Sequence, residues 1–119
     1  MSNKRYINQI QFNPANSNNV INSVSNFLHQ NNFQPINVNG ETFFANSTID
    51  QFNWLLCLKI SFNGNVAFIE AWLVGVDVFG NIKFKEEYGV DSMYGSMWRP
   101  ITILKAIIRD VESIIMKEA

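Results

Sequence analysis

Few residues in this 119-residue chain have the type and spacing that chemistry needs. Glu70 is the one that stands out. It sits in Ile69-Glu70-Ala71-Trp72-Leu73, a run that alternates as a strand does, so Phe68 and Trp72 share its face. A carboxylate there is costly if buried unpaired. It needs solvent, a cation such as Lys59 one rung diagonal from it, or a ligand. Acid–base catalysis asks for a second positioned group, and none is evident. Cys57 has no base or cation beside it in sequence and reads as a small packing residue. His29 falls in the last turn of a predicted helix, where the dipole favours a cation. One His and one Cys cannot build a zinc site. Asp77 and Asp91 belong to turns. The chain carries no Gly-x-Gly-x-x-Gly, no phosphate loop and no nucleophile elbow. These residues predict no enzyme, no metal and no cofactor.

The element that positions Glu70 is a hairpin from Trp54 to Val76. Asn63-Gly64 between two apolar runs predicts a two-residue type I′ turn, whose central residues both need φ > 0. That turn would set Leu58 opposite Ile69 and Leu56 opposite Ala71 on one face, face A, which is almost wholly apolar. Face B would pair Ser61 with Val66, Lys59 with Phe68, Cys57 with Glu70 and Leu55 with Trp72. A one-residue slip would exchange the faces of one strand, so apolar pattern and turn agree on one register.

Around the hairpin, residues 5–12 alternate as a first strand that Asn13-Pro14 ends. Asn16 or Ser17 would cap a helix whose apolar stripe is Val20, Ile21, Val24, Phe27 and Leu28. Phe33–Gly40, with Pro35, reads as a connection, and Glu41–Asn46 as a short strand. Asp77–Asn81 turns the chain into Ile82-Lys83-Phe84-Lys85-Glu86, an alternating strand with the charges of a sheet edge. Residues 89–99 form a loop rich in large side chains, Met93, Tyr94, Met97 and Trp98, placed either as a lid on the core edge or as a binding site. Pro100 then opens a helix striped by Leu104, Ile107, Ile108, Val111, Ile114 and Ile115. The expected architecture is one α+β domain over 1–119, an antiparallel sheet in the order β-α-β-β-β-β-α. Both helices would pack on face A, leaving face B open.

Composition narrows the setting. Apolar residues make up 47% and charged residues 16%, as in ordinary globular chains. A net charge of −1 and a pI of about 5.7 give no general attraction to nucleic acid or acidic membranes. No apolar run approaches the ~20 residues of a membrane span, and no secretory pattern opens the chain. A cytoplasmic protein without nucleic-acid or membrane partners is expected.

Two resemblances accompany this reading. The element order resembles the half-repeat of the TATA-binding-protein-like fold, a curved antiparallel sheet with helices on one side. Phe33–Ile115 resembles a small domain of uncharacterised Gram-positive bacterial proteins, some of which place it behind a zinc ribbon. The shared pieces are Phe33, Gly40-Glu41, Leu58-Lys59-Ile60-Ser61-Phe62, Ile69–Leu73, Tyr94-Gly95 and the last helix. The ribbon is missing here, since one Cys cannot make it, and the resemblance implies no catalytic residues.

Two functions follow as expectations. The first is a non-enzymatic binding or self-assembly module, a homodimer joined through face B at Leu55, Lys59, Phe68, Glu70 and Trp72. Three large apolar side chains on adjacent rungs would approach the ~300–600 Å² of the largest patch a monomer usually exposes. The second is a site for a small amphipathic ligand between face B and the Tyr94–Trp98 stretch.

Overall fold

The chain turns at Gly64-Asn65, one residue later than the sequence suggests. The computed structural model describes residues 5–46, 54–91 and 98–117. In it β4 (Trp54–Asn63) pairs with β5 (Val66–Val76), and Asn63 stands opposite Val66. Gly64, with φ +62°, takes the first central position, as a type II′ turn demands. Asn63-Gly64-Asn65 holds both an Asn-Gly and a Gly-Asn pair, and a hairpin can close on either. The true register faces Leu58 with Ala71, Ile60 with Ile69, Cys57 with Trp72 and Lys59 with Glu70. Each partner moves by two residues, an even number, so the two faces keep their composition although every rung changes.

The type I′ turn belongs elsewhere. Asn39 and Gly40 have φ of +53° and +87° and join β2 (Phe33–Val38) to β3 (Glu41–Asn46). The stretch expected as a connection is therefore a strand. Pro35 argues against a central strand, but β2 ends the strand order and pairs only with β3, where the missing N–H is tolerated. The sheet has six antiparallel strands. β1 (Tyr6–Gln11) and β6 (Ile82–Tyr88) share the edge of β5 that faces away from β4. β1 lies along residues 66–71 and β6 along Leu73 to Val76. The element order is β-α-β-β-β-β-β-α, one strand more than expected.

Two helices complete the α+β fold, α1 (Ser17–Gln30) and α2 (Trp98–Met116). A 3₁₀ turn, Pro14–Asn16, precedes α1. The side-chain cap is Asn13, whose carboxamide oxygen accepts from the Ala15 N–H at 3.0 Å; Asn16 makes no such bond. Val24 and Leu28 of α1 and Leu104, Ile108, Val111 and Ile115 of α2 are buried with Leu56, Leu58, Ile69 and Leu73 of face A in one cluster. Glu112 of α2 accepts from the Tyr6 hydroxyl and from Asn8 Nδ2 (2.7 Å), which fastens β1 to the helix. Burial, and then this bond to Glu112, push the Tyr6 hydroxyl up to about 12.

A curved sheet face with a charged belt and a cleft

Face B is not left open along its length. Leu55, Cys57, Trp72 and Val74 are buried with Phe43 and Ala45 of β3, and Ile36, Val38, Ile82 and Phe84 pack against them. Val38 of β2 and Phe84 of β6 line one concavity although their strands lie at opposite ends of the sheet. The sheet therefore bends around face B, and a second, smaller core fills the bend. This corrects the expectation that nothing in the chain covers Leu55 and Trp72. The sheet's own outer strands cover them, to 4% and 2% exposure. A Trp72→Lys substitution would strike a core, not a free surface.

Arg5 closes this core on one side. It precedes β1 and points to the face opposite Tyr6, so its guanidinium lies 3.6 Å from the Trp72 ring centroid. Nε and Nη2 donate to Glu87 at 2.8 and 2.7 Å. Nη1 and Nη2 donate to Glu41 at 2.7 and 2.9 Å, and Nη1 also reaches Glu70 at 3.3 Å. Two planar forks onto two carboxylates suit guanidinium and not ammonium. Lys59 adds contacts to Glu41 (3.0 Å) and Glu70 (4.0 Å). The Arg5 bonds are the main cause that holds the Glu41 carboxyl down at about 2, and Glu87 and then Glu41 hold the Arg5 proton more tightly still. One belt thus joins the start of β1 to β3, β4, β5 and β6.

Beyond the belt, face B stays more open. Phe68 is half-buried opposite Ser61 and Gln9, and neighbouring Ile7 is 67% exposed. On the buried side, a cleft of about 180 Å³ lies between the β2–β3 turn and β6. Phe43 and Trp72 form its floor, Val38 and Phe84 its walls, and Glu41, Lys85 and Glu87 its polar rim. It continues into a wider groove of about 570 Å³ along Ile82–Glu86.

The expected site residues therefore separate. Leu55 and Trp72 belong to the buried core, and Lys59 and Glu70 to the belt. Phe68 lies on the open part. Trp98 is the first residue of α2 and 72% exposed, outside the cleft and the face B core. Tyr94, Met93 and Met97 lie outside the described residues. Arg5, Val38, Glu41, Phe43, Phe84 and Glu87 are among the site residues that the sequence did not single out. Alternation within Glu41–Asn46 already sets Glu41 and Phe43 on one face; the bend that aims them at Trp72 has no local signal.

Cys57 is buried, and burial is the first cause that pushes its thiol up, with Glu87 adding to it. It is a packing residue, not a thiolate nucleophile. Among the described residues no set of three His, Cys, Asp or Glu is placed to hold a metal ion. Among them, too, no helix is long and apolar enough to cross a membrane. No protein-family model, curated protein or solved structure matches the chain.

Proposed function

We propose that this chain is a non-enzymatic binding module whose recognition site is the cleft on face B. The observation that carries this reading is a concavity walled by Val38 and Phe84 over the edges of Trp72 and Phe43, with a polar rim. Such a combination, apolar walls with a few placed polar groups, is the usual make-up of a recognition site. Arg5 and Lys59 already engage the neighbouring carboxylates, and Trp72 and Phe43 are almost wholly buried, so the cleft offers contact chiefly through Val38, Phe84 and its polar rim. The likeness to the small Gram-positive bacterial domain belongs to the same proposal, because none of its shared residues implies catalysis. An amphipathic small molecule held within this cleft is the variant of this reading that the chemistry of the rim also accommodates.

Calorimetric titration with phenylethanol, phenethylamine and phenylacetate tests it. Saturable binding of at least one probe, lost on Val38→Asp in a variant that keeps its secondary structure, is the expected result. Absence of saturable binding by all three would remove the cleft as a site.

A further inference from the structure

The hairpin tip between β5 and β6 carries the two most exposed large apolar residues described. Val78 is 93% and Phe79 86% exposed. They do not sit on a slack turn. The Asp77 carboxylate accepts from the backbone N–H groups of Phe79 and Asn81, both at 2.9 Å, and from Asn81 Nδ2 at 3.2 Å. The Asp77 N–H donates to the Asn81 carbonyl (2.9 Å), the Gly80 N–H to the Asp77 carbonyl (3.0 Å), and Gly80 has φ +83°. The backbone N–H of Asn81 is the first of the bonds that hold the Asp77 carboxyl below its ordinary range, so the tip keeps its negative charge. A rigid turn thus presents two apolar side chains beside one carboxylate. Preorganisation of this kind lowers the ordering cost of binding.

The same chain holds the complement. The cleft and its continuing groove have apolar walls, Val38, Ile82 and Phe84, and a mixed rim in which Lys83 and Lys85 alternate with Glu41, Glu86 and Glu87. We infer that the Val78-Phe79 tip of one copy docks in the face B groove of a second copy, which returns its own tip in exchange. Apolar side chains meet apolar walls, and Lys85 is the cation of the mixed rim that Asp77 can face. A tip and a groove on one chain satisfy the self-complementarity that two-fold pairing requires. An aromatic side chain buries about 150–250 Å². Two reciprocal tips, with the groove surface each covers, approach the ~1,000 Å² floor of a specific interface. The dimer is therefore at the weak, transient end of specific interfaces. This inference rests on the cleft being a recognition site, and it names the occupant.

Sedimentation equilibrium of the full chain, from low to high micromolar concentration, tests it with Phe79→Ser, Val78→Ser and Lys85→Glu. All three positions are exposed, so secondary structure should be unchanged by circular dichroism. The parent should show a monomer–dimer equilibrium. Phe79→Ser should weaken it at least tenfold, and Val78→Ser and Lys85→Glu several-fold. Association that Phe79→Ser abolishes while Lys85→Glu leaves it intact would mean tip-to-tip contact and overturn the inference. A parent that stays monomeric would also overturn it. In that case saturable binding of an aromatic probe in the cleft would keep the binding-module reading alive, and no probe binding would end both.

Discussion

Replacing Arg5 by Leu should cost the protein about 2–4 kcal/mol at neutral pH. The guanidinium side chain is 18% exposed and its three carboxylates 28–30%. Removing one partner of a fully buried ion pair costs roughly 3–5 kcal/mol, because the charges left behind are uncompensated. Here the carboxylates can recover part of their hydration and Lys59 stays beside two of them, which reduces the figure. The lost stacking on Trp72 adds roughly 0.5–2 kcal/mol. Chemical denaturation at several pH values would measure the cost. Its pH dependence is the sharper readout. Glu41 titrates at about 2 in the folded protein against an ordinary 4.5. A depressed folded pKa contributes stability that is full above the unfolded value and is lost as pH falls through the folded one. At about 1.4 kcal/mol per unit, discounted for partial exposure, Glu41 alone contributes about 2 kcal/mol. The deficit of Arg5→Leu should therefore be full near pH 7 and shrink as pH falls from about 4.5 toward 2. Arg5→Lys should fall between, since it keeps the charge and loses both forks. A deficit of the same size at pH 3 and pH 7, or none at pH 7, would refute the belt as a stabilising element.

Two further substitutions test the frame that carries the site. Gly64→Val should destabilise by about 1–2 kcal/mol, read as a lower denaturation midpoint, because a β-branched residue resists φ > 0; a Cβ there would meet nothing within 4 Å, so the backbone alone sets the cost. Glu112→Gln should bring the Tyr6 hydroxyl down from about 12 while burial keeps it above its ordinary value, as an ultraviolet titration would record, and should loosen β1 from α2.

The parts of this fold that were legible in the sequence are those with local causes. The composition of faces A and B follows from strand alternation, so it survives a two-residue error in register. The strand Glu41–Asn46 and the apolar stripes of both helices follow from periodicity, except that Ile21, expected in the first stripe, is 38% exposed. What was not legible depends on distant partners. Pro35 suppresses a strand signal that β3 overrides by offering an edge position. The bend that brings Val38 toward Phe84 arises from the whole sheet, and only that bend turns Trp72 from a surface residue into the floor of a cleft. Lys59 opposite Glu70 was close to legible, displaced by one rung. Arg5 was not, because its three carboxylates come from β3, β5 and β6.

The cleft is tested most directly by mapping amide and side-chain NMR shifts while the best-binding aromatic probe is titrated to saturation. A recognition site on face B predicts that the largest changes fall together at Val38, Phe43, Trp72 and Phe84, with little at Ile7 and Phe68 beyond the charged belt. Changes centred on Trp98 or on the helices, with the four cleft residues unmoved at saturation, would contradict it.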